Sequence, residues 1–278
     1  MERDAGNVLD RYLSRVGLDG AHVSLQAIHR AHVTSIPFEN IDVLLGRSIH
    51  LDVDSLVRKL IDQKRGGYCF EQNSLLAVVL ERLGFTVTRC LGRVRTGEGP
   101  RPETHMSLLV DGQLVDVGFG ASTPIGPIPL DGEATYGTHT GRTERVRTPE
   151  GEDAWLLSMS DRALYSFTEL NHHPVDFLAP NHSTSTHPNS MHKQTLIVQR
   201  WTTELVQVGL VDLELLTRDP YTTTPLDPDA LEHTLVDIFD LAIGTEDAAA
   251  LNAWVLAKPG VAGRRLGHRN FAVDLRAE

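Results

Sequence analysis

Cys69, His105 and Asp116 are, in chain order, a nucleophile, a base and a carboxylate, the residue types that take an acyl group onto sulfur and pass it to a second acceptor. Cys69 closes the run Arg65-Gly66-Gly67-Tyr68-Cys69 just where Phe70, Leu76, Val79, Leu80 and Leu83 recur at helical spacing, with Gly84 as the stop. The thiol therefore falls in the first turn of a predicted helix. Unpaired N–H groups and the positive end of the helix dipole favour an anion there, and a cysteine so placed beside a base drops from a pKa of about 8.5 toward roughly 3.5–7.5. The glycines are expected to remove bulk that would shield the sulfur. Taken alone, Cys69 reads equally well as a buried core thiol.

The base and the carboxylate lie on one predicted hairpin. Asp111-Gly112 is the dipeptide favoured in a two-residue type I′ turn, and it joins a strand from His105 to Val110 with one from Gln113 to Gly118. Counting outward from Val110 opposite Gln113 puts Ser107 opposite Asp116 and His105 opposite Gly118. His105 and Asp116 are then diagonal neighbours on one face, about 7–8 Å apart at the backbone, a gap their side chains close. Gly118 is expected to leave room for the imidazole. Ser107, Leu109 and Leu114 share that face, while Met106, Leu108, Val110, Val115 and Val117 form the other. An aspartate in so apolar a strand needs a partner, and His105 is the nearest. A carboxylate on one ring nitrogen sets the tautomer and leaves the other nitrogen for the Cys69 proton. Without the upstream cysteine, a purely structural His–Asp pair would be the better reading.

These residues resemble the arylamine N-acetyltransferase family, whose members carry an Arg-Gly-Gly-x-Cys run, a later strand histidine and an Asp-Val-Gly-Phe-Gly segment. Here these are Arg65 to Cys69, His105, and Asp116-Val117-Gly118-Phe119-Gly120. His29-Arg30-Ala31-His32 with Ile36-Pro37-Phe38-Glu39-Asn40-Ile41-Asp42, and Ser185-Thr186-His187-Pro188, resemble further family blocks, so the likeness spans about the first 200 residues in order. The resemblance implies ping-pong acetyl transfer. Cys69 takes the acetyl group from acetyl-coenzyme A, and an arylamine, hydrazine or arylhydroxylamine then removes it. It also implies that Phe38 and Phe119 line the acceptor pocket, that Thr104, Phe119 and Gly120 lie near the pantetheine and acyl end of the donor, and that Glu39 and Arg65 form an ion pair bracing the cysteine loop. Ala121-Ser122 follow where many bacterial relatives carry a further glycine.

The Cys, His, Asp order by itself also suits a cysteine hydrolase of the transglutaminase or papain kind, which would admit water to the acyl-cysteine. An amide synthase closing a macrolactam from a carrier-bound polyketide is a further alternative within the same family. A catalytically silent binding module is the reading that the complete set of three residues argues against.

Around these residues the chain must supply a scaffold. With 278 residues, 41% hydrophobic and 23% charged, it has the composition of an ordinary soluble protein with a substantial core. The fold expected is α+β with a cysteine-protease-like Cys-His-Asp core. It comprises an N-terminal helical bundle (1–84) carrying Cys69, a central β-barrel (85–198) carrying His105 and Asp116, and a C-terminal α/β lid (199–278). Val8, Leu9, Tyr12, Leu13 and Val16 form one helical stripe, Ser24 starts a second helix, and Asp54 with Leu56, Val57, Leu60 and Ile61 marks a third. Short alternating runs from Phe85 to about Val198 predict strands. Val206 to Leu216 is strand-like, Asp227-Pro228 opens a helix, and a last helix holds Leu251, Trp254 and Val255.

The net charge of −11 argues against nucleic-acid or acidic-membrane binding. The phosphates of coenzyme A still need a local basic patch, for which Arg93, Arg95, Arg101 and Lys258, or Arg264 and Arg265, are candidates. Only two cysteines, Cys69 and Cys90, are present, too few for a disulfide framework. With no secretory signal or membrane span in view, a cytoplasmic location is the default. Cys90 reads as packing. His172, His173, His182, His187 and His192 lack metal-site spacing and read as loop histidines, so no metal is expected. Oligomeric state is left open.

Overall fold

The structure is a computed structural model describing residues 5–20, 23–95, 101–148, 151–160, 162–218 and 222–258. Its first third is helical. Helix α1 (Ala5–Val16) buries the stripe Val8, Tyr12, Leu13 and Val16, and α2 (Leu25–Ser35) is capped by Ser24, whose Oγ accepts the Ala27 N–H at 3.2 Å. A two-residue strand β1 (Phe38–Glu39) leads to α3 (Ile41–Leu44). Helix α4 (Val53–Leu56) is capped by Asp52 and widens into a π-helical stretch, Val57–Asp62. Helix α5 (Cys69–Arg82) then runs through the centre of the core with Phe70, Leu75, Leu76, Val79 and Leu80 fully enclosed. It stops at Gly84, whose φ of +89° is the left-handed conformation glycine tolerates best.

Eight strands follow: β2 (Val87–Val94), β3 (Glu103–Val110), β4 (Gln113–Val115), β5 (Ile128–Pro129), β6 (Gly132–Tyr136), β7 (His139–Arg147), β8 (Asp153–Met159) and β9 (Arg162–Phe167). They form one antiparallel sheet in the order β5-β4-β3-β2-β9-β8-β7-β6. Its two edge strands are joined by a short turn, so the sheet is a nearly closed barrel. The β3–β4 hairpin has the expected register, Val110 opposite Gln113 and Leu108 opposite Val115, with both turn residues at positive φ (Asp111 50°, Gly112 73°). Its two faces serve two cores. Met106, Leu108, Val110, Val115 and Val117 join the helices, whereas Leu109 and Leu114 join Cys90, Ile128, Trp155 and Leu157 inside the barrel.

The structure differs from expectation in two places here. The β4 ladder ends at Val115, so the residue opposite His105 is not Gly118 but Gly92 on β2. Residues 174–194 are helical rather than extended: a 3₁₀ turn Pro174–Phe177, then α6 (Leu178–Thr186) and α7 (Met191–Gln194). Pro174 sits where a helix needs no N–H, and Asp176 accepts the His173 N–H at 2.8 Å. Within α6 the hydroxyls that read as loop formers bond back to the helix, Ser185 Oγ donating to Asn181 O at 2.9 Å.

The remaining strands, β10 (Ile197–Trp201), β11 (Gln207–Val211), β12 (Glu214–Arg218) and β13 (Thr222–Pro225), extend β1 into a second sheet ordered β1-β10-β11-β12-β13. Phe38 pairs with Gln199 and Glu39 with Val198, so the division expected at residue 198 falls inside a strand joined to the N-terminal third. Helices α8 (Leu231–Asp237) and α9 (Thr245–Leu256) pack Leu231, Leu235, Leu251 and Val255 against Ile41, Leu44, Val198 and Leu210. No helix among the described residues is long and apolar enough to cross a membrane.

Candidate active site

The loop before α5 is held by close backbone packing. Gly67 N–H donates to Pro37 O (3.3 Å) and Glu39 N–H to Gly67 O (3.1 Å), so the cysteine loop lies alongside β1. A Cβ at Gly66 would stand 2.1 Å from Pro37 O, and one at Gly67 would stand 2.8 Å from Glu71 Oε2. These glycines therefore permit loop packing and do not bare the sulfur, and Cys69 is only 4% exposed. Glu71 completes the start of the helix, its Oε2 accepting the Tyr68 N–H at 3.2 Å.

Cys69 is the first residue of α5, and its thiol donates to Thr104 O at 3.8 Å. The next residue on that strand is His105, 3% exposed, whose Nε2 bonds Asp116 Oδ2 at 2.7 Å. Burial works against charge on this ring. The Asp116 carboxylate and the adjoining Cys69 sulfur outweigh it and push His105 up to about 10. Asp116 is fully buried with both oxygens satisfied. Oδ2 accepts from His105 and from Tyr165 Oη (2.9 Å), and Oδ1 accepts from Asn73 Nδ2 (3.0 Å) and the Gly118 N–H (2.9 Å). Burial raises its carboxyl, but His105 and these donors prevail and hold it below the usual carboxylate range. The turn at Gly118 carries the chain against the start of α5, since a Cβ there would lie 2.6 Å from Cys69 Cα and 3.0 Å from Asn73 Nδ2.

Asn73 and Tyr165 were not singled out from sequence. Asn73 is one helical turn beyond Cys69, and its side chain also bonds Met106 O (2.8 Å) and the Val117 N–H (3.2 Å), tying α5 to β3 and to the Asp116 segment. The four-residue spacing from Cys69 was a usable signal. Tyr165 comes from β9, and nothing local in sequence marks it. Its ring packs 4.5 Å from His105 and 5.3 Å from Phe119, and Phe119 meets His105 edge-on at 5.0 Å.

The Glu39–Arg65 pair is present and belongs to a larger buried network. Arg65 Nε donates to Glu39 Oε1 at 3.0 Å and its Nη2 to the same oxygen at 2.6 Å, while Glu39 Oε2 accepts the Ile41 N–H at 2.7 Å. Lys59, on the π-helical stretch, bridges Asp42 (2.8 Å) and Glu71 (2.7 Å). Burial disfavours charge on Arg65, Lys59 and Asp42, yet mutual attraction keeps Arg65 and Lys59 above, and Asp42 (about 2) below, their ordinary values, whereas at the fully buried Glu71 burial prevails and raises the carboxyl.

Phe38 lies beside Gly120: a Cβ on that glycine, at φ +82°, would stand 3.7 Å from the Phe38 ring and 3.0 Å from Gln199 Oε1. Gln207 Nε2 donates to Gly120 O at 3.1 Å, and the side-chain oxygens of both glutamines are buried with no hydrogen-bond partner. Of the basic candidates, Arg93 is engaged by Glu152 and Arg101 O, Arg95 by Ser166, and Lys258 by Asp212. Arg264 and Arg265 lie outside the described residues. Among the described residues no three His, Cys, Asp or Glu side chains converge as a metal site. His192, read as a loop histidine, has its ring against Tyr68 and Phe38.

A family profile described as N-acetyltransferase matches residues 23–248. An arylamine N-acetyltransferase from Mycolicibacterium smegmatis is 43% identical over 201 residues, covering 66% of this chain and 72% of that protein. The solved arylamine N-acetyltransferase of Mycobacterium abscessus superposes with a TM-score of 0.83 at 31% identity, over 92% of this chain and 97% of that one. The Mycobacterium marinum arylamine N-acetyltransferase in complex with CoA does so with a TM-score of 0.81 at 29% identity, over 89% and 98%. The chain is an acyltransferase and belongs to the arylamine N-acetyltransferase family.

Proposed function

We propose that the protein transfers an acetyl group from acetyl-coenzyme A to an arylamine, hydrazine or arylhydroxylamine through an acetyl-cysteine at Cys69. The observation that carries this reading is the buried His105–Asp116 pair, 2.7 Å apart, beside a thiol at the start of a helix. His105 Nε2 is taken by Asp116, so Nδ1 is the nitrogen left to receive the thiol proton. A ring held ready to carry a proton draws it from Cys69, and the helix N-terminus favours the resulting thiolate. The thiolate attacks the thioester carbonyl. As the carbon–sulfur bond to coenzyme A breaks, the His105 proton goes to the departing thiolate, leaving Cys69 acetylated. In the second half the amine attacks that new thioester, His105 takes the proton the amine loses, and Cys69 leaves as thiolate.

Several features support transfer rather than hydrolysis. Cys69 and His105 are 4% and 3% exposed, and the rings of Phe119 and Tyr165 wall the imidazole, which limits water at the acyl-cysteine. The unpartnered oxygens of Gln199 and Gln207 beside Gly120 suit the amide N–H groups of a pantetheine arm. Phe38 and Phe119 supply aromatic surface for the acceptor, with Thr104 and Gly120 at the acyl end of the donor. Glu39 and Arg65 brace the loop.

Initial rates measured while both acetyl-coenzyme A and aniline are varied test this. Parallel double-reciprocal lines are expected, because coenzyme A leaves before the amine binds. Intersecting lines would mean that both substrates must be bound together, and the acetyl-cysteine would be discarded.

A further inference from the structure

His192 has no part in the chemistry proposed above, yet its ring reaches the site. It sits on α7, pinned from behind by Asn40, whose Nδ2 donates to His192 O (2.8 Å) and Thr195 O (2.7 Å). Lys193 Nζ anchors the next residue to Val43 O at 3.2 Å. The imidazole meets Tyr68, the residue before Cys69, edge-on at 5.4 Å, and Phe38 at 6.0 Å. Burial, and then the nearby charge of His105, keep the ring neutral and push it down to about 4. Its Nδ1 is enclosed and has no hydrogen-bond partner.

A polar nitrogen left unpaired among aromatic rings is costly. Packing alone would be served better there by a phenyl ring, so the imidazole needs a ligand group to justify it. We propose that His192 selects among acceptors, its free ring nitrogen hydrogen-bonding a hydroxyl carried on the ring of an aromatic amine bound beside Phe38 and Tyr68. This inference rests on the acyl-transfer reading and narrows its substrate class. A hydroxyl both donates and accepts, so it satisfies either neutral tautomer, whereas a methoxy group only accepts. A carboxylate gains no ion pair from a neutral ring.

The test uses the full chain with acetyl-coenzyme A and compares aniline, the three aminophenols and their methoxy analogues, whose amines are of similar basicity. The wild type is expected to favour at least one aminophenol over its methoxy partner by about tenfold in kcat/KM, the size of one neutral hydrogen bond. His192→Phe should lose that preference while turning over aniline within about threefold of wild type, and His192→Gln should keep most of it. If His192→Phe does not fold, His192→Leu reads the same loss. An equal preference in wild type and His192→Phe, or none in the wild type, overturns the inference alone. A wild type that acetylates no aniline at all overturns the acyl-transfer reading, and the inference with it.

Discussion

At the scale of single residues, the site turns on how many bonds Asp116 receives. Its carboxylate is buried, yet four donors meet it, so its charge is retained and aimed at His105. Asp116→Asn keeps the size but presents an amide to groups that are themselves donors, and the imidazole loses its anchor. A fall of about 10²–10⁴-fold in kcat/KM for acetyl-coenzyme A is expected, with the circular dichroism spectrum unchanged. The pair also sets a pH signature. His105 is raised from 6.5 to about 10, so its contribution to stability is complete below pH 6.5 and is lost as pH rises through about 10. Asp116 is lowered, so its contribution is present above its unfolded value of 3.8 and is lost as pH falls through the lower folded value. Melting temperatures of wild type and His105→Asn should therefore differ most near pH 4–6.5 and converge toward pH 10. A difference that does not change with pH would show that the ring is not held protonated. Cys69, His105 and Asp116 were legible in sequence because each falls beside a local signal, a helix start, a strand and a turn, and Cys69 is one of only two cysteines. Tyr165 and His192 were not, since only the long-range pairing of β9 with β2 and the α6–α7 segment bring them to the site.

At the scale of elements, the β3–β4 hairpin shows how far local chemistry carries. Asp111-Gly112 sets the turn, and the alternation of residues sorts the two faces into two cores as the period of two requires. Past Val115 that rule stops applying, because the Asp116 side chain captures the Gly118 N–H and bends the chain out of the ladder. Extending the strand register to Gly118 therefore gave the wrong neighbour. That glycine is required by the approach of α5 instead. Gly118→Ala would drive a methyl group into Cys69 Cα, so activity should fall at least a hundredfold, on the order of what a 1 Å misplacement costs, while the protein still unfolds cooperatively. Near wild-type turnover in this variant would mean that the Cys69 geometry tolerates displacement. The 174–194 segment was misread because its Ser, Thr, Asn and Pro residues signal loops, yet here the proline starts a turn and the hydroxyls close onto their own helix.

At the scale of the whole molecule, the proposed catalytic residues Cys69, His105 and Asp116 lie where the helical third meets the barrel, and the C-terminal sheet is built onto both. The helical first third, the strand-rich middle and the mixed strand-and-helix end were legible as segments. Their interlocking was not, because β1 is only two residues long and its partner β10 lies some 160 residues away. Because β10 completes that sheet and Ile41 and Leu44 share a core with α8 and α9, a fragment ending at residue 195 should show no cooperative thermal transition. A fragment that melts cooperatively would make the C-terminal part an independent unit. The central claim is that an acetyl group passes through Cys69. Intact-mass spectrometry of the protein mixed with acetyl-coenzyme A and no acceptor tests it most directly, beside a Cys69→Ala control. One acetyl group on the wild type alone, discharged on adding an arylamine or a hydrazine such as isoniazid, is the predicted result. A wild type that stays unmodified, or a control that is acetylated equally, would contradict it.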